Sequence, residues 1–216
     1  MRRVIAVIFA VLLLPAIPTA EAESNLIDVG IIQNIDGRFV AASFSSESTL
    51  VTVTKTGNLS EHFWGSGELI TQWSIELNIS VNSATLDSTG LQVAVAHTEG
   101  VFVINTESRS ITSYYNISSS VDTVHWDSEG DLWYGLYGLE RRAIEYRNGN
   151  LTGEQTEPHL QPMTAMDIIS EDRIVTGGRD NLVKVFNQKG IVERTLTGFS
   201  SYPSKILHDG ADNLIV

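Results

Sequence analysis

The stretch "RIVTGGRDNLVKVFNQKG", residues 173–190, reads as two short apolar strands joined by a tight turn and closed by a second turn. A two-stranded hairpin has no stable core of its own, so its neighbours must supply one. The surrounding chain repeats the theme. The pattern apolar-x-x-apolar-x-aromatic-or-apolar occurs as Phe39, Ala42, Phe44; Val81, Ala84, Leu86; Val121, Val124, Trp126; Met163, Met166, Ile168; and, weakly, Pro203, Ile206, His208. Successive starts lie 42, 40, 42 and 40 residues apart. Each copy is followed by turn residues: SSEST (45–49), DSTG (87–90), DSEGD (127–131), SEDR (170–173) and DGADN (209–213). Asp and Ser side chains cap their own backbone in such turns, and Gly accepts positive φ.

A second strand follows each turn (TLVTVT, LQVAVA, LWYGLY, RIVTG, NLIV). These runs are β-branched and aromatic with little alternation, which suits strands covered on both faces. A third strand follows at 101–105, 142–146 and 182–186, and is longer and less clear in the first copy. A fourth, more polar strand, from 110 and from 191, has the composition of a solvent-facing edge. Four antiparallel strands every 41 residues or so predict an all-β chain, a β-propeller of four-stranded blades. The expected blades are 39–80, 81–120, 121–162, 163–202 and a partial 203–216. Helical solenoids would need a 3.6-residue period, and a β-sandwich would not repeat its turn chemistry at fixed spacing.

The fourth unit resembles a WD40 repeat. His159 precedes the strand carrying Met163, Met166 and Ile168, and IVTGGRDNLVKVFN matches that family's second and third strands, with Phe186-Asn187 at the usual Trp-Asp position. The resemblance implies a structural hydrogen-bond chain of His159, Thr176 and Asp180, whose fourth member is lost because Phe186 has no donor. Elsewhere the rhythm is kept without that polar chain: unit two has Thr98-Glu99-Gly100 in the turn and unit three Leu139-Glu140.

Residues 1–22 carry Arg2 and Arg3, an apolar run from Val4 to about Ile17 broken by Pro15, and Ala20-Glu21-Ala22. This reads as a cleaved secretory signal peptide, since the apolar run is shorter than a membrane span requires. The expected location is therefore secreted or cell-surface, or periplasmic where a periplasm exists. Removing residues 1–22 takes two Arg and one Glu from 14 basic and 26 acidic residues, leaving 12 against 25 and a formal charge of −13. Scattered basic residues, with only Arg141-Arg142 adjacent, argue against nucleic acid and against an anionic membrane surface. With zero cysteines, neither a disulfide nor a lipoprotein anchor is available, so stability must come from the core or from repetition.

The repeat breaks off inside the second strand of a fifth unit, at Leu214-Ile215-Val216. The expectation is an incomplete ring whose remainder lies beyond Val216, with residues 23–38, NLIDVGII (25–32) above all, as a ring-closing strand.

No catalytic, cofactor-binding or metal-ligating residue is assigned. Asp127, Glu129 and Asp131, or Asp209 and Asp212, could offer calcium oxygens, but blade turns account for them and neither loop has EF-hand spacing. His62, His97, His125, His159 and His208 are dispersed without a metal-binding spacing. Gly65-Ser66-Gly67 is better read as a hairpin turn than a nucleophile elbow, and no nucleotide-binding glycine motif occurs. Trp64, Trp73, Trp126 and Trp133 could stack on sugars or a quinone, although Trp126 and Trp133 suit inter-blade core. N-x-[ST] sequons at Asn58, Asn78, Asn116 and Asn150 are candidate glycosylation sites near turns. Loops entering the first strands are mostly Ser, Asn and Pro, with Asp36, Asp122, Glu157 and His159 as exceptions.

The expected function is that of an exported, non-catalytic scaffold binding a protein or a glycan. The alternatives are a propeller dehydrogenase, lyase or glycosidase with its site at a central channel, or an accessory domain of a longer membrane-anchored or catalytic protein.

Overall fold

The computed structural model describes residues 38–65, 68–117, 119–136, 143–147, 150–151, 159–170, 173–187, 191–208 and 214–216. Residues 1–22, read from the sequence as a signal peptide, and residues 25–32, Asp36, Ser66-Gly67, Leu139 to Arg142, Glu157, Asp209 and Asp212 lie outside the described residues. Only strands and turns occur within them, and no helix there is long and apolar enough to cross a membrane.

The first sheet comprises β1 (Phe39–Ser46), β2 (Thr49–Thr54), β3 (Asn58–Gly65) and β4 (Glu68–Glu76). The second comprises β5 (Ser83–Leu86), β6 (Gln92–His97), β7 (Gly100–Asn105) and β8 (Ser110–Asn116). The third runs through β9 (Val121–Trp126), β10 (Leu132–Leu136), β11 (Ala143–Arg147) and the short β12 (Asn150–Leu151). The fourth is β13 (Met163–Ser170), β14 (Arg173–Gly178), β15 (Val183–Asn187) and β16 (Val192–Leu196). A two-stranded pair, β17 (Leu207–His208) and β18 (Leu214–Ile215), follows. Each four-stranded sheet is an antiparallel meander with its strands in chain order. In the first sheet the expected faintness of the third strand is corrected: β3 and β4 are long and paired up to Gly65 and Glu68.

The turns form as their side chains require. Asp87 Oδ1 accepts from Leu91 N and Gln92 N, each at 2.9 Å, and Asp127 Oδ1 accepts from Glu129 N at 3.0 Å and Asp131 N at 2.8 Å. Gly90 and Gly130 close these turns at φ 75° and 83°, where a Cβ would be strained. The second strands β2, β6, β10 and β14 are buried almost throughout, whereas β8 and β16 are mostly exposed.

Burial on both faces follows from alternation along each strand. Val93 and Val95 face the first sheet, packing with Val51, Val53, Leu59 and Trp73, while Ala94 and Ala96 between them pack against Val121, Val124, Leu132 and Tyr134 of the third. In the third sheet Trp133 points the other way, onto Met163, Met166, Ile168 and Ile174 of the fourth. Val175, Val183 and Val185 then receive Ile206 of the last segment. The cores are therefore between sheets, with no core inside any one of them.

Polar bonds set the stacking register. Asn82 Nδ2 donates to Ser120 Oγ (3.2 Å) and Val121 O (3.0 Å), Val124 N donates to Ser83 Oγ (3.4 Å), and Thr164 Oγ1 donates to Pro203 O. These partners are 38 to 41 residues apart, so first strand meets first strand along the stack. The leading apolar slot of the first strand is buried in later sheets (Val81, Val121 and Met163 all 0% exposed) but open in β1, where Phe39 is 43% exposed. Among the described residues no sheet precedes β1 to cover it.

Trp133→Ala should cost about 3–5 kcal/mol, because a ring buried between two sheets is lost together with its bond to Asp127. Equilibrium urea unfolding measures it; a cost under about 1 kcal/mol would contradict the inter-sheet core.

Candidate functional site

The six-residue pattern of each first strand has a variable fifth position, occupied by Thr85, His125 and Asp167 in three successive sheets. The stacking register brings these slots side by side at the C-terminal ends of β5, β9 and β13. Asp167 is buried, and its carboxylate gathers donors from three sheets. His125 Nε2 lies 3.0 Å from Oδ1, and His208 Nδ1 2.9 Å from Oδ2. Backbone N–H groups of Ile168 (2.9 Å, to Oδ1) and His208 (3.0 Å, to Oδ2) complete the set.

Burial alone would raise the Asp167 pKa, but the bonds and charges of His125 and His208 outweigh it and hold the carboxyl below its usual range. Since the ionised carboxylate only accepts, each imidazole must present an N–H to it. This fixes both tautomers and leaves Nδ1 of His125 and Nε2 of His208 as the remaining ring nitrogens.

A cavity of about 310 Å³ opens over this cluster, at the lower end of the range for small-ligand sites. Thr85, Leu86, Ser88, Trp126, Ser128 and Ile169 are among its lining residues, so the second, third and fourth sheets all contribute, and His208 comes from the segment after them. The histidine side chains are 28% and 24% exposed. Asp127 also lines it, with Oδ1 bound to two backbone N–H groups and Oδ2 accepting from Trp133 Nε1 at 3.0 Å. The Asp127 carboxylate of this turn is thus bonded within the protein, and among the described residues no group of three or more His, Cys, Asp or Glu is arranged to hold a metal ion.

At the opposite ends of the first strands, Lys55 Nζ reaches Val81 O and Asn82 Oδ1, and Asn82 in turn reaches Ser120. Asp122 lies beside Ser120, within the fields of Arg179 and Lys55. Desolvation nevertheless pushes its carboxyl up to about 6, against the pull of Arg179, Lys55 and the Ser120 hydroxyl. Charges from the first and fourth sheets thus meet at a residue of the third.

The chain of His159, Thr176 and Asp180 is present as geometry. His159 Nδ1 lies 3.0 Å from Asp180 Oδ1, and its Nε2 lies 2.9 Å from Thr176 Oγ1. His159 is fully buried, and desolvation lowers its pKa although Asp180 opposes the shift. It stitches the segment before β13 to β14.

The sequons are not equivalent. Asn78 (φ 55°) and Asn116 are exposed at corresponding places, just after or at the end of a fourth strand. Asn58, read from sequence as accessible, is half-buried and its Oδ1 accepts from the buried Ser60 Oγ at 3.0 Å. The side chain of Asn150 lies outside the described residues. The partnership of His125, Asp167 and His208 was not foreseen, although the shared slot of His125 and Asp167 was a visible signal.

Compared with known proteins, the chain matches no family model, and no curated protein matches it.

Two pH-dependent outcomes follow from opposite shifts. The lowered Asp167 pKa contributes stability above the unfolded-state value, lost as pH falls through the folded one. Asp167→Asn should therefore destabilise by about 3 kcal/mol near pH 7, the difference from wild type shrinking as pH falls below the ordinary carboxylate range, as read by urea titrations. The raised Asp122 pKa means that the folded chain holds a proton the unfolded chain releases, so stability falls as pH rises from about 4 to 6. Asp122→Asn should raise the melting temperature at pH 7.5 and leave it unchanged at pH 4. An equal gain at both pH values would refute that assignment.

Proposed function

We propose that this chain is part of an exported, WD40-like β-propeller that acts as a non-catalytic scaffold, taking a protein or glycan ligand at the end of the stack where the cavity opens. The roughly 40-residue spacing, the in-order antiparallel sheets and the first-strand-to-first-strand packing support the propeller. Export rests on the reading of residues 1–22 as a signal peptide.

The observation that carries the binding role is the cavity itself. It is built from strand ends of three sheets and the segment after them, and lined by two partly exposed imidazoles, an indole and small hydroxyls. Turns at strand ends can vary without disturbing the core, which suits recognition.

One observation favours catalysis. A buried carboxylate that orients a histidine is the device by which general bases are held. Asp127 in the cavity lining and Asp167 behind the histidines argue against glycosidase chemistry, however. Two carboxyl groups free to act as acid and as base or nucleophile are needed, and Asp127 and Asp167 are both bonded to donors within the protein.

Purified full-length chain should bind intact cells of its source saturably. It should turn over nothing in chromogenic glycosidase, lyase-absorbance and dye-linked dehydrogenase assays. Turnover lost on His125→Ala would replace the scaffold with the enzyme.

A further inference from the structure

The lining of the cavity constrains its occupant further, and the constraint rests on the scaffold reading just given. Asp167 accepts four N–H donors and does not line the cavity, and Asp127 already accepts three, so the lining offers a metal ion or an ammonium group at most one open carboxylate site. Among the described residues no Lys or Arg lines the cavity, and the chain carries a formal charge of −12, which disfavours phosphate, sulfate and uronate ligands. A purely apolar ligand would leave the imidazoles and hydroxyls without partners.

What remains is a set of acceptors beside an apolar surface. The ring nitrogens not used on Asp167, Nδ1 of His125 and Nε2 of His208, carry lone pairs when the imidazoles are neutral. Ser88 and Ser128 are exposed at the rim and can accept or donate. Trp126, Leu86 and Ile169 supply apolar wall, and the Trp126 indole N–H is buried with no hydrogen-bond partner.

We infer that the cavity is a subsite for one neutral sugar ring of a glycan, its C–H face against Trp126 and its hydroxyls donating to the free ring nitrogens of His125 and His208. A sugar ring combines an apolar face with a rim of donors, which is the complement of this lining. Asp167 is the positioning residue: it touches no ligand atom and sets which nitrogen of each imidazole faces outward.

The test is affinity electrophoresis of the full chain in gels containing dextran, mannan, xylan or laminarin, with alginate and dextran sulfate as charged counterparts. At least one neutral polysaccharide should retard the chain. His125→Ala and His208→Ala should each weaken that retardation about tenfold, the effect of one lost buried hydrogen bond. Ser128→Trp, at an exposed turn residue, should abolish it by filling the cavity without touching the core. If the histidine variants unfold, Ser128→Trp still decides. So do the wild-type ring-nitrogen NMR shifts, which should move for His125 and His208 on saturation with the retarding glycan. Retardation by charged polysaccharides alone, or retardation indifferent to Ser128→Trp, overturns the inference. Binding to cells that survives periodate but not protease keeps the scaffold and removes the sugar. Absence of binding to cells and to every polysaccharide removes both.

Discussion

Everything in this molecule depends on one constraint: a four-stranded sheet whose middle strands are apolar on both faces cannot cover itself. Val93 and Val95 need one neighbour, Ala94 and Ala96 another, and the alternation along β6 dictates that both be present at once. The same logic moves along the chain through Leu132 and Trp133, then Ile174 and Val175. Sheet follows sheet because each supplies the cover that its predecessor lacks. The exposed Phe39 and Phe44 of β1 mark where, among the described residues, that succession has no earlier member.

The architecture was largely legible in the sequence because this constraint writes itself as composition. Second strands such as QVAVAH and LWYGL lack polar alternation since both faces are dry, and polar strands such as SITSYYN form the outer edge. Turns were legible for a local reason: Asp87 and Asp127 bond backbone four or five residues away, so neighbours in sequence carry the signal. The polar trio His159, Thr176 and Asp180 was legible through its resemblance to a known repeat. The site was not read in the same way. His125, Asp167 and His208 are far apart in the chain, and what joins them is the stacking register, which only cross-sheet contacts such as Val124 to Ser83 define.

The two ends of the first strands have different electrostatic characters. At one end Asp122 sits among Lys55, Asn82, Ser120 and Arg179, where desolvation outweighs two nearby cations. At the other, Asp167 is more deeply buried than Asp122 and yet stabilised as an anion, because four N–H groups converge on it. Two aspartates on adjacent first strands are thus driven in opposite directions by the number of donors each can reach. An acidic chain accommodates a buried carboxylate by supplying backbone and imidazole N–H, with no lysine or arginine needed.

The Asp167 cluster also limits how the chain can change length. Asp167 and His208 are 41 residues apart, and the strands they occupy are held by cross-sheet bonds of nearly that span. An insertion in an outer hairpin, such as the turn between β15 and β16, bulges into solvent and leaves both anchors in place. An insertion of one residue between Pro203 and His208 would instead turn the imidazole to the opposite face of its strand and leave Oδ2 of Asp167 short of partners. Length variation in such a chain is thus expected to drain outward, leaving the inner strands with a fixed count of residues.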